Sequence, residues 1–365
     1  DVLRFTLASL TTPGKNLLLG NEKIEGSRNF ANKLWNASKF VLSVINNLQS
    51  EKTNFDSGLD ISRAITIDYF NDTFKNLQIS RGDLNLWDRW ILSKLAKTVK
   101  ALERYLKKYS ISFACRMLVN FFWNDFCDWY IESVKTRVYW AKSESYKETK
   151  DTNYKNKDAG NLNKNVFIKD KFIATYVLWY VLEKYLKLLH PFMPFITEKI
   201  WLSIPHDDVS IMISSYPVIS NISFAKIDNK AENLIRILFN IIGEIRRLRS
   251  ELKINPSLRI NANIVCRSTQ IKELVENNSK YIKELAKIQL LNTSEPSEKN
   301  GYIKTVISDI DIYLYLSDVI DIDLEIKRIT AEIAKKNDER EKSYRKISNP
   351  QFMEKAPEDV IVREK

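Results

Sequence analysis

Histidine, cysteine and glycine are scarce in this chain of 365 residues. It contains 2 His and 3 Cys, too few for most catalytic and metal-binding arrangements. The thiols form no Cys-x-x-Cys pair, which excludes a zinc ribbon and a disulfide framework, and sparse cysteine suits a reducing cytosol. The 8 glycines are about 2% of the chain, against an average of roughly 7%. No glycine-rich phosphate loop can be assembled from them.

Long uncharged apolar runs are also missing. The most apolar stretch, Phe172 to Leu189, contains Glu183, Lys184 and Lys187, whereas a membrane-spanning helix needs about 18 or more apolar residues. The sequence begins at Asp1 with an apolar segment and shows no signal peptide or basic targeting arm. We therefore expect a cytoplasmic protein without a membrane partner, and a chain that is a piece of a longer one.

Basic residues are in excess. The chain has 57 Lys+Arg and 46 Asp+Glu, which gives a net charge of +11 and an isoelectric point near 9.2. This excess is a weak indication of a nucleic-acid partner. With 44% apolar residues the chain is rich enough to bury cores, and its length corresponds to about two domains.

Hydrophobic periodicity predicts a mainly α protein in three parts. The first part, 1–220, has helical periodicity at 20–48, 86–109, 111–141 and 171–203, interrupted by a Lys/Asn-rich stretch at 142–171 that we expect to be a flexible surface insertion. The second part, 221–318, is a small α+β unit with helices at 231–252 and 269–288 and period-two alternation at 257–266 and 302–316.

The third part, 319–365, carries a coiled-coil pattern. Its seam has the spacing 4-3-4-3-4-3-4 and consists of Ile322, Ile326, Ile329, Ile333, Lys336, Arg340, Ser343 and Ile347. Since a coiled coil needs a partner helix, this segment is either half of an antiparallel arm or one strand of a dimer.

The helix predicted at 20–48 has two contrasting faces. Its packing stripe repeats at 3-4-3-4-3-4 and consists of Ile24, Ser27, Ala31, Leu34, Ser38, Val41 and Ile45. On the opposite side Asn29, Lys33, Asn36 and Phe40 repeat at 4-3-4. An aromatic ring among amides and a cation suits unstacked RNA bases. An ordinary solvated face, with Phe40 against a neighbouring helix, is the alternative.

Two other helices have more conventional patterns. The helix predicted at 111–141 has almost no polar face, so we expect its aromatic residues, Phe113 among them, to form the centre of a bundle. Asp125 and Asp128 are expected to be hydrogen-bonded bundle residues there. On the helix at 231–252, Arg246 and Arg249 are three residues apart and share a side, which suits either a salt-bridged surface or phosphate contact.

Several segments together resemble the valyl-tRNA synthetase family of class I aminoacyl-tRNA synthetases. DVLRFTLASL at 1–10 resembles the segment after the catalytic domain, and EGSRNFANKLWNAS at 25–38 resembles the first helix of the anticodon-binding domain. Further similar segments are WNDFCDWY at 123–130, HPFMPFITEKIW at 190–201, IRRLRSE at 245–251 and NPQFMEKAPEDV at 349–360. The last resembles the hairpin tip of the family's C-terminal coiled-coil arm.

The resemblance implies a fold and a function. The fold is the anticodon-binding helical bundle of class I enzymes, then a small α+β unit and the first half of a coiled-coil arm. The family's His-x-Gly-His and Lys-Met-Ser-Lys-Ser signatures are absent from this chain. We therefore expect the tRNA-binding part of a synthetase whose ATP-dependent chemistry and editing lie elsewhere, inactive alone, without a cofactor or metal of its own, monomeric, and with valine-accepting tRNA as partner.

The resemblance also assigns candidate contacts. Lys33 and Phe40 match positions that contact the anticodon, and the position of a further basic contact is occupied by Glu22 with Lys23 beside it. With their neighbours they give the anticodon-binding set Lys23, Arg28, Asn29, Lys33, Asn36 and Phe40. The set expected at the tRNA backbone or at the outer corner of the tRNA is Arg246, Arg249, Lys335, Lys336, Arg340, Arg345 and Lys346.

Two other interpretations of the sequence remain at this point. The same architecture could come from a related ligase such as the isoleucine enzyme, although the chain lacks a Cys-rich zinc module and carries the coiled-coil seam. Alternatively, the chain is a non-catalytic helical adaptor whose basic coiled coil binds protein partners.

Overall fold

A computed structural model describes residues 1–11, 14, 16–50, 66–139, 157–220, 224–298, 300–317 and 322–348. By its internal contacts the chain divides into a first unit, residues 1–240, and a second unit, residues 241–365. The division falls inside one helix, whereas the boundary expected from composition is at 220/221; that three-part division stays a prediction.

The first unit is built of helices. In chain order they are α1 (Val2–Leu10), α2 (Asn21–Ser50), α3 (Ile67–Asn76), α4 (Leu86–Lys107), α5 (Ile111–Asn120), a π-helix (Phe121–Ile131), α6 (Glu132–Val138), α7 (Lys157–Leu189), α8 (Pro194–Trp201) and the start of α9 (Asn229–Glu251). Short 3₁₀ turns lie at Arg81–Asp83 and Ile211–Ile213.

Local sequence signals set several helix ends. Asn85 caps α4 in a reciprocal capping box with Asp88, and the Thr66 side chain accepts from the Tyr69 N–H to start α3. α8 begins with Pro194, whose missing N–H costs nothing at the first helical position. These signals explain why the apolar runs after them fold as separate helices.

The packing stripe predicted on α2 is confirmed. Ser27, Leu34, Ser38, Val41 and Ile45 are buried, and Ile24 and Ala31 are half-buried. Phe30 flanks the stripe and stacks on Phe5 of α1 with ring centroids 5.2 Å apart. α2 is therefore fixed along one side and leaves the opposite side toward solvent.

Residues 111–138 form one continuous helix that changes pitch in its middle, where 11 residues from Phe121 are π-helical. Most of the aromatic rings of this helix are buried as expected, for example Phe122, Phe126 and Tyr130. The expectation is wrong for Phe113, which is 52% exposed. Phe113 lies at the start of α5, where the chain has just turned away from α4.

The interpretation of 142–171 as a flexible insertion is wrong for its second half. α7 begins at Lys157, and Asp170 and Lys171 are packed into the unit, with Lys171 only 2% exposed. Lys169 donates to Asp83 at 2.6 Å. Lys169 and Asp170 are polar and nevertheless ordered, because both make ion pairs within the unit. Residues 140–156 lie outside the part of the chain that the structure describes.

The second unit contains a four-stranded sheet in the order β2-β1-β4-β3. Its strands are β1 (Ile260–Cys266), β2 (Ile288–Asn292), β3 (Tyr302–Ile307) and β4 (Ile310–Tyr315), with helices α10 (Thr269–Asn277) and α11 (Ser279–Ala286) between the first two. β1 is parallel to β2 and antiparallel to β4, which pairs with β3 in a hairpin.

Two of these strands differ from the prediction. The alternation at 302–316 is not one strand but two, because the chain turns at Ser308, where φ is +51°. The helix predicted to run to 288 ends at Ala286, and Lys287 follows in the left-handed conformation with φ +56°. That turn starts β2, which hydrophobic periodicity alone does not reveal because it has only five residues.

The last helix, α12 (Ile322–Ile347), matches the predicted coiled-coil segment in extent. Two of its seam residues, Ile326 and Ile333, are each 56% exposed. The coiled-coil pairing itself stays a prediction. The predicted hairpin tip, 349–360, lies outside the described residues. None of the described helices combines the length and the apolar composition that crossing a membrane requires.

A buried ion pair joins the helices of the first unit. Arg137 of α6 donates to Asp88 of α4 at 2.7 Å, and both side chains are fully buried. The Arg137 guanidinium also contacts the Asp170 carboxylate of α7 at 2.7 Å, and Tyr130 of the π-helix donates to Asp88 at 2.6 Å. Four elements therefore meet at one charge cluster.

Replacing one partner of this cluster should destabilise the first unit strongly. Arg137→Met leaves the Asp88 carboxylate buried without its cation, which costs about 3 kcal/mol or more of unfolding free energy. Urea unfolding followed by circular dichroism measures it. Asp88→Leu combined with Arg137→Met should recover part of the loss, because the carboxylate that then remains, Asp170, is 31% exposed and can be hydrated; equal stability of single and double variants would contradict this account.

The ion pair of Asp125 with Lys94 predicts that the unfolding free energy depends on pH. Burial raises the pKa of Asp125 to about 6, only partly opposed by Lys94 at 3.2 Å. The folded state then binds more protons than the unfolded state between about pH 4 and pH 6. Asp125 therefore contributes less stability as the pH rises through this window, by up to about 3 kcal/mol before solvent screening.

Asp125→Asn removes this titration. Compared with the native chain, the variant should gain unfolding free energy as the pH is raised from 4 to 7, measured by urea unfolding at each pH. Asp128→Asn, on the same helix with its side chain 46% exposed, is the matched control. If both variants follow the same pH profile, burial of Asp125 is not the cause.

Candidate nucleic-acid interface

Asn29, Lys33, Asn36 and Phe40 lie together on α2, opposite its buried stripe; we call them the α2 face. Asn29 and Asn36 are exposed, and Lys33 and Phe40 are half-buried. The predicted 4-3-4 arrangement is therefore present, with amides at the outside and a cation and a ring nearer to the neighbouring helix.

Two residues of the π-helix hold the Lys33 side chain in place. Its Nζ lies 3.0 Å from Oδ1 of Asp128 and 5.2 Å from the ring centroid of Trp123. An ammonium group has three donors, and the side chain remains 35% exposed. Lys33 can therefore keep its contact to Asp128 and still donate outward.

Phe40 contacts the helix beside it. Its ring centroid is 6.5 Å from that of Tyr139, and Nζ of Lys135 lies 5.6 Å from the Phe40 centroid. The alternative considered from the sequence, that Phe40 meets a neighbouring element, is thus part of the structure. The ring is nevertheless only half-buried, so it presents apolar surface with a cation beside it.

The partners of the α2 face come from the π-helix and from the segment after it. They are Trp123, Asp128, Lys135 and Tyr139, and the sequence analysis did not place any of them at this site. The sequence contains a partial signal, since Glu132, Lys135 and Tyr139, which follow the π-helix, repeat at 3-4 like part of the α2 face. Two matching polar rows on helices that run side by side indicate a shared surface.

The remaining anticodon candidates lie near the start of α2. Glu22 and Lys23 are exposed on its first turn, and Arg28 is exposed with Glu25 4.0 Å away. Exposed pairs of this kind contribute little to stability. Lys23 and Arg28 are therefore accessible to a ligand.

The two arginines of α9 differ from each other. Arg246 is exposed, and its Nε donates to the Leu285 carbonyl at 2.9 Å. Arg249 is 6% exposed and donates to the carbonyls of Asn255, Leu258 and Lys287, and burial lowers its pKa. Arg249 joins loops of its own unit, and its burial argues against the tRNA contact predicted for it, which stays untested.

The basic residues predicted on the arm lie on α12. Lys335, Lys336, Arg340 and Arg345 are exposed, and Lys336 and Arg345 pair with Glu339 at 2.7 Å and Glu341 at 3.2 Å. Among the described residues no carboxylate lies within salt-bridge distance of Lys335 or Arg340. The side chain of Lys346 is outside the described part.

Two of the three cysteines lie in the helical core. Burial raises the pKa of the Cys115 and Cys127 thiols to about 12, which keeps them protonated at neutral pH. In the ranges that the structure covers, no group of three His, Cys, Asp or Glu side chains could hold a metal ion.

Comparison with known proteins identifies two families along the chain. Residues 88–264 match the anticodon-binding domain of tRNA ligases, and residues 321–365 match the valyl-tRNA synthetase tRNA-binding arm. The first match includes the π-helix, α6 and Arg246, while the α2 face precedes it.

Similar proteins cover the whole chain. Valine–tRNA ligases of Listeria innocua, Geobacter sulfurreducens and Aquifex aeolicus are 33%, 34% and 33% identical to it over 100% of its length. The chain spans only 36%, 36% and 28% of these relatives. It is therefore comparable to roughly a third of each ligase, and it belongs to the valyl-tRNA synthetase family.

Proposed function

We propose that this chain is the part of a valine–tRNA ligase that binds valine-accepting tRNA and recognises its anticodon through the α2 face. One observation carries the proposal: an anticodon-binding domain and a tRNA-binding arm of valyl-tRNA synthetases occur in one chain that aligns over its full length with valine–tRNA ligases.

The α2 face has the groups that unstacked bases need. Phe40 offers a ring on which a base can stack, and the amides of Asn29 and Asn36 can both donate to and accept from base edges. Because Asp128 lies 3.0 Å from Lys33, it offsets part of the lysine's attraction for phosphate. That balance favours hydrogen bonds from Lys33 to neutral base atoms over unspecific backbone contact.

The arm supplies a second, electrostatic contact. Lys335 and Arg340 are exposed on α12 and suit the phosphates at the outer corner of tRNA. Such contacts add affinity without reading bases. The exposed Ile326 and Ile333 then mark the seam for the arm's second helix, and dimerisation through them is the alternative that a mass measurement would reveal.

The remaining steps belong to the rest of the ligase. Attachment of valine to tRNA with ATP takes place in parts of the enzyme that this chain does not resemble, so the chain alone binds tRNA without charging it. We propose that the ligase works in the cytoplasm as a monomer, with no cofactor held by this part.

Anticodon recognition can be tested with the chain itself. The Kd for a valine tRNA transcript should be lower than that for a transcript with a changed anticodon, measured by filter binding at moderate salt. Phe40→Leu keeps an apolar side chain but removes the ring, so it should weaken binding by about 1–3 kcal/mol and reduce the discrimination.

Trp35→Leu is the matched control. Trp35 is on the same helix, five residues or about 140° away from Phe40 around its axis, and is 36% exposed with Lys39 over its ring. Trp35→Leu should leave the affinity for both transcripts unchanged. Equal affinity for both transcripts, or equal losses in the two variants, would remove the α2 face from the proposal.

The arm contact predicts a separate effect. Lys335→Gln combined with Arg340→Gln should flatten the dependence of log K on log salt by up to about 1.8 if both contact duplex phosphates, with the discrimination between anticodons unchanged. Arg267→Gln with Lys272→Gln, exposed residues of the second unit, removes the same charge elsewhere. Identical salt slopes for the two double variants would show that α12 does not contact tRNA.

A further inference from the structure

Exposed aromatic and basic side chains meet where α4 turns into α5. The rings of Tyr105 and Phe113 are stacked, with centroids 5.8 Å apart and planes at 18°. Phe113 is 52% exposed and Tyr109 is 83% exposed. Together with Arg104 and Arg116 we call these residues the α4–α5 corner. Its rings are not covered by the helical core.

Each arginine of the corner lies over a ring. The guanidinium of Arg104 is 5.2 Å from the Tyr105 centroid, and that of Arg116 is 5.4 Å from the Phe113 centroid. Such stacking orients a guanidinium without neutralising it. Within the described ranges neither has a carboxylate at salt-bridge distance, unlike nine other arginines: Arg28, Arg81, Arg89, Arg137, Arg247, Arg259, Arg267, Arg328 and Arg345.

The charge around the corner is mainly positive. Lys107 and Lys108 are exposed on the same turn, and the only acidic neighbour in salt-bridge reach among the described residues is Glu103, 3.6 Å from Lys107. Four cations and three rings therefore share one small surface. A partner surface must be negatively charged and must offer flat apolar groups.

Tyr109 adds an observation of a different kind. Its φ is +53°, a conformation at a helix end that favours glycine. The turn is closed by backbone bonds, from the Tyr109 N–H to Leu106 at 3.0 Å and from the Ser110 N–H to Tyr105 at 2.9 Å. Since the Tyr109 ring is almost fully exposed, packing of its side chain does not offset this strain.

The corner continues toward the α2 face. Phe113, Arg116, Asn120 and Trp123 are spaced 3-4-3, so they follow one side of the helix. Trp123 is the ring that lies 5.2 Å below Lys33. From Phe113 to Trp123 the helix rises about 15 Å, which corresponds to about four phosphates of a stacked strand at 3.4 Å each.

We infer that the α4–α5 corner is a second RNA-binding surface, at which Arg104 and Arg116 contact phosphates and the exposed rings of Phe113 and Tyr109 accept unstacked bases. RNA fits better than a protein partner, because one strand supplies both the regularly spaced negative charges and the flat rings. The inference rests on the proposed function in one respect only, that the natural RNA is tRNA.

Two probes separate the corner from the anticodon site. One is the valine tRNA transcript, and the other is a ten-nucleotide oligouridine, which has no anticodon. Arg104→Gln combined with Arg116→Gln should flatten the salt dependence of log K for oligouridine by about 1.4, since each single-strand phosphate contact contributes about 0.7. At about 0.15 M salt this is roughly a tenfold loss of affinity. Arg267→Gln with Lys272→Gln is again the charge-matched control.

Tyr109→Gly should change stability and RNA affinity in opposite directions. Glycine adopts the positive φ without strain, so the melting temperature should rise by about 1–3 °C. The affinity for oligouridine should fall at least about fivefold, because the exposed ring is lost. A side chain that only served the fold could not produce both changes. If the affinity does not fall, or falls together with the melting temperature, the inference is overturned.

The other possible results of these experiments distinguish failure of the α4–α5 corner from failure of the α2 face. Corner variants that weaken oligouridine binding, with no anticodon discrimination by the native chain, support the corner and contradict the α2 face. Anticodon discrimination with corner variants that behave like the control contradicts the corner alone. No binding of either RNA contradicts both. If corner variants bind RNA normally but reduce charging by the complete ligase, the corner contacts protein, and the inference is wrong.

Discussion

The buried guanidinium of Arg137 is the contact on which the helical unit depends. It joins Asp88 and Asp170 across three helices, and Tyr130 completes the cluster. Lys135 and Tyr139, the two side chains that meet Phe40, lie two residues before and two residues after Arg137. A charge network that is costly to disturb therefore fixes one side of the surface proposed to bind the anticodon. In this unit the stabilising network and the surface proposed for recognition share the same short segment.

The α2 helix shows what periodicity can predict. Its apolar residues recur every three or four positions, so the buried stripe and the opposite face follow from the sequence alone. The partners of that face do not follow in the same way. Trp123 and Lys135 belong to a helix that changes pitch at Phe121, and an angle of 100° per residue counted through it loses register. The α2 face is therefore predictable from the sequence, whereas its partner residues on the neighbouring helix are seen only in the structure.

Other differences have a common cause, which is that composition does not distinguish a solvated polar residue from a paired one. The segment 157–171 looks like a surface insertion, yet Asp170 and Lys171 are packed. Arg249 looks like a surface cation but is enclosed by backbone carbonyls. Phe113 looks like a core residue and is exposed. In each case the partner is fixed by how the chain turns or packs, which hydrophobic periodicity and composition do not show.

The π-helix has a consequence for how this segment can vary. Its residues are mostly large and apolar, and many could be exchanged for others of similar size without moving the backbone. Removing a single residue is different, because everything after it would rotate about the helix axis. Lys135, Arg137 and Tyr139 would then leave their partners together. Descendants of such a chain should therefore tolerate replacements at 121–131 while keeping its length constant.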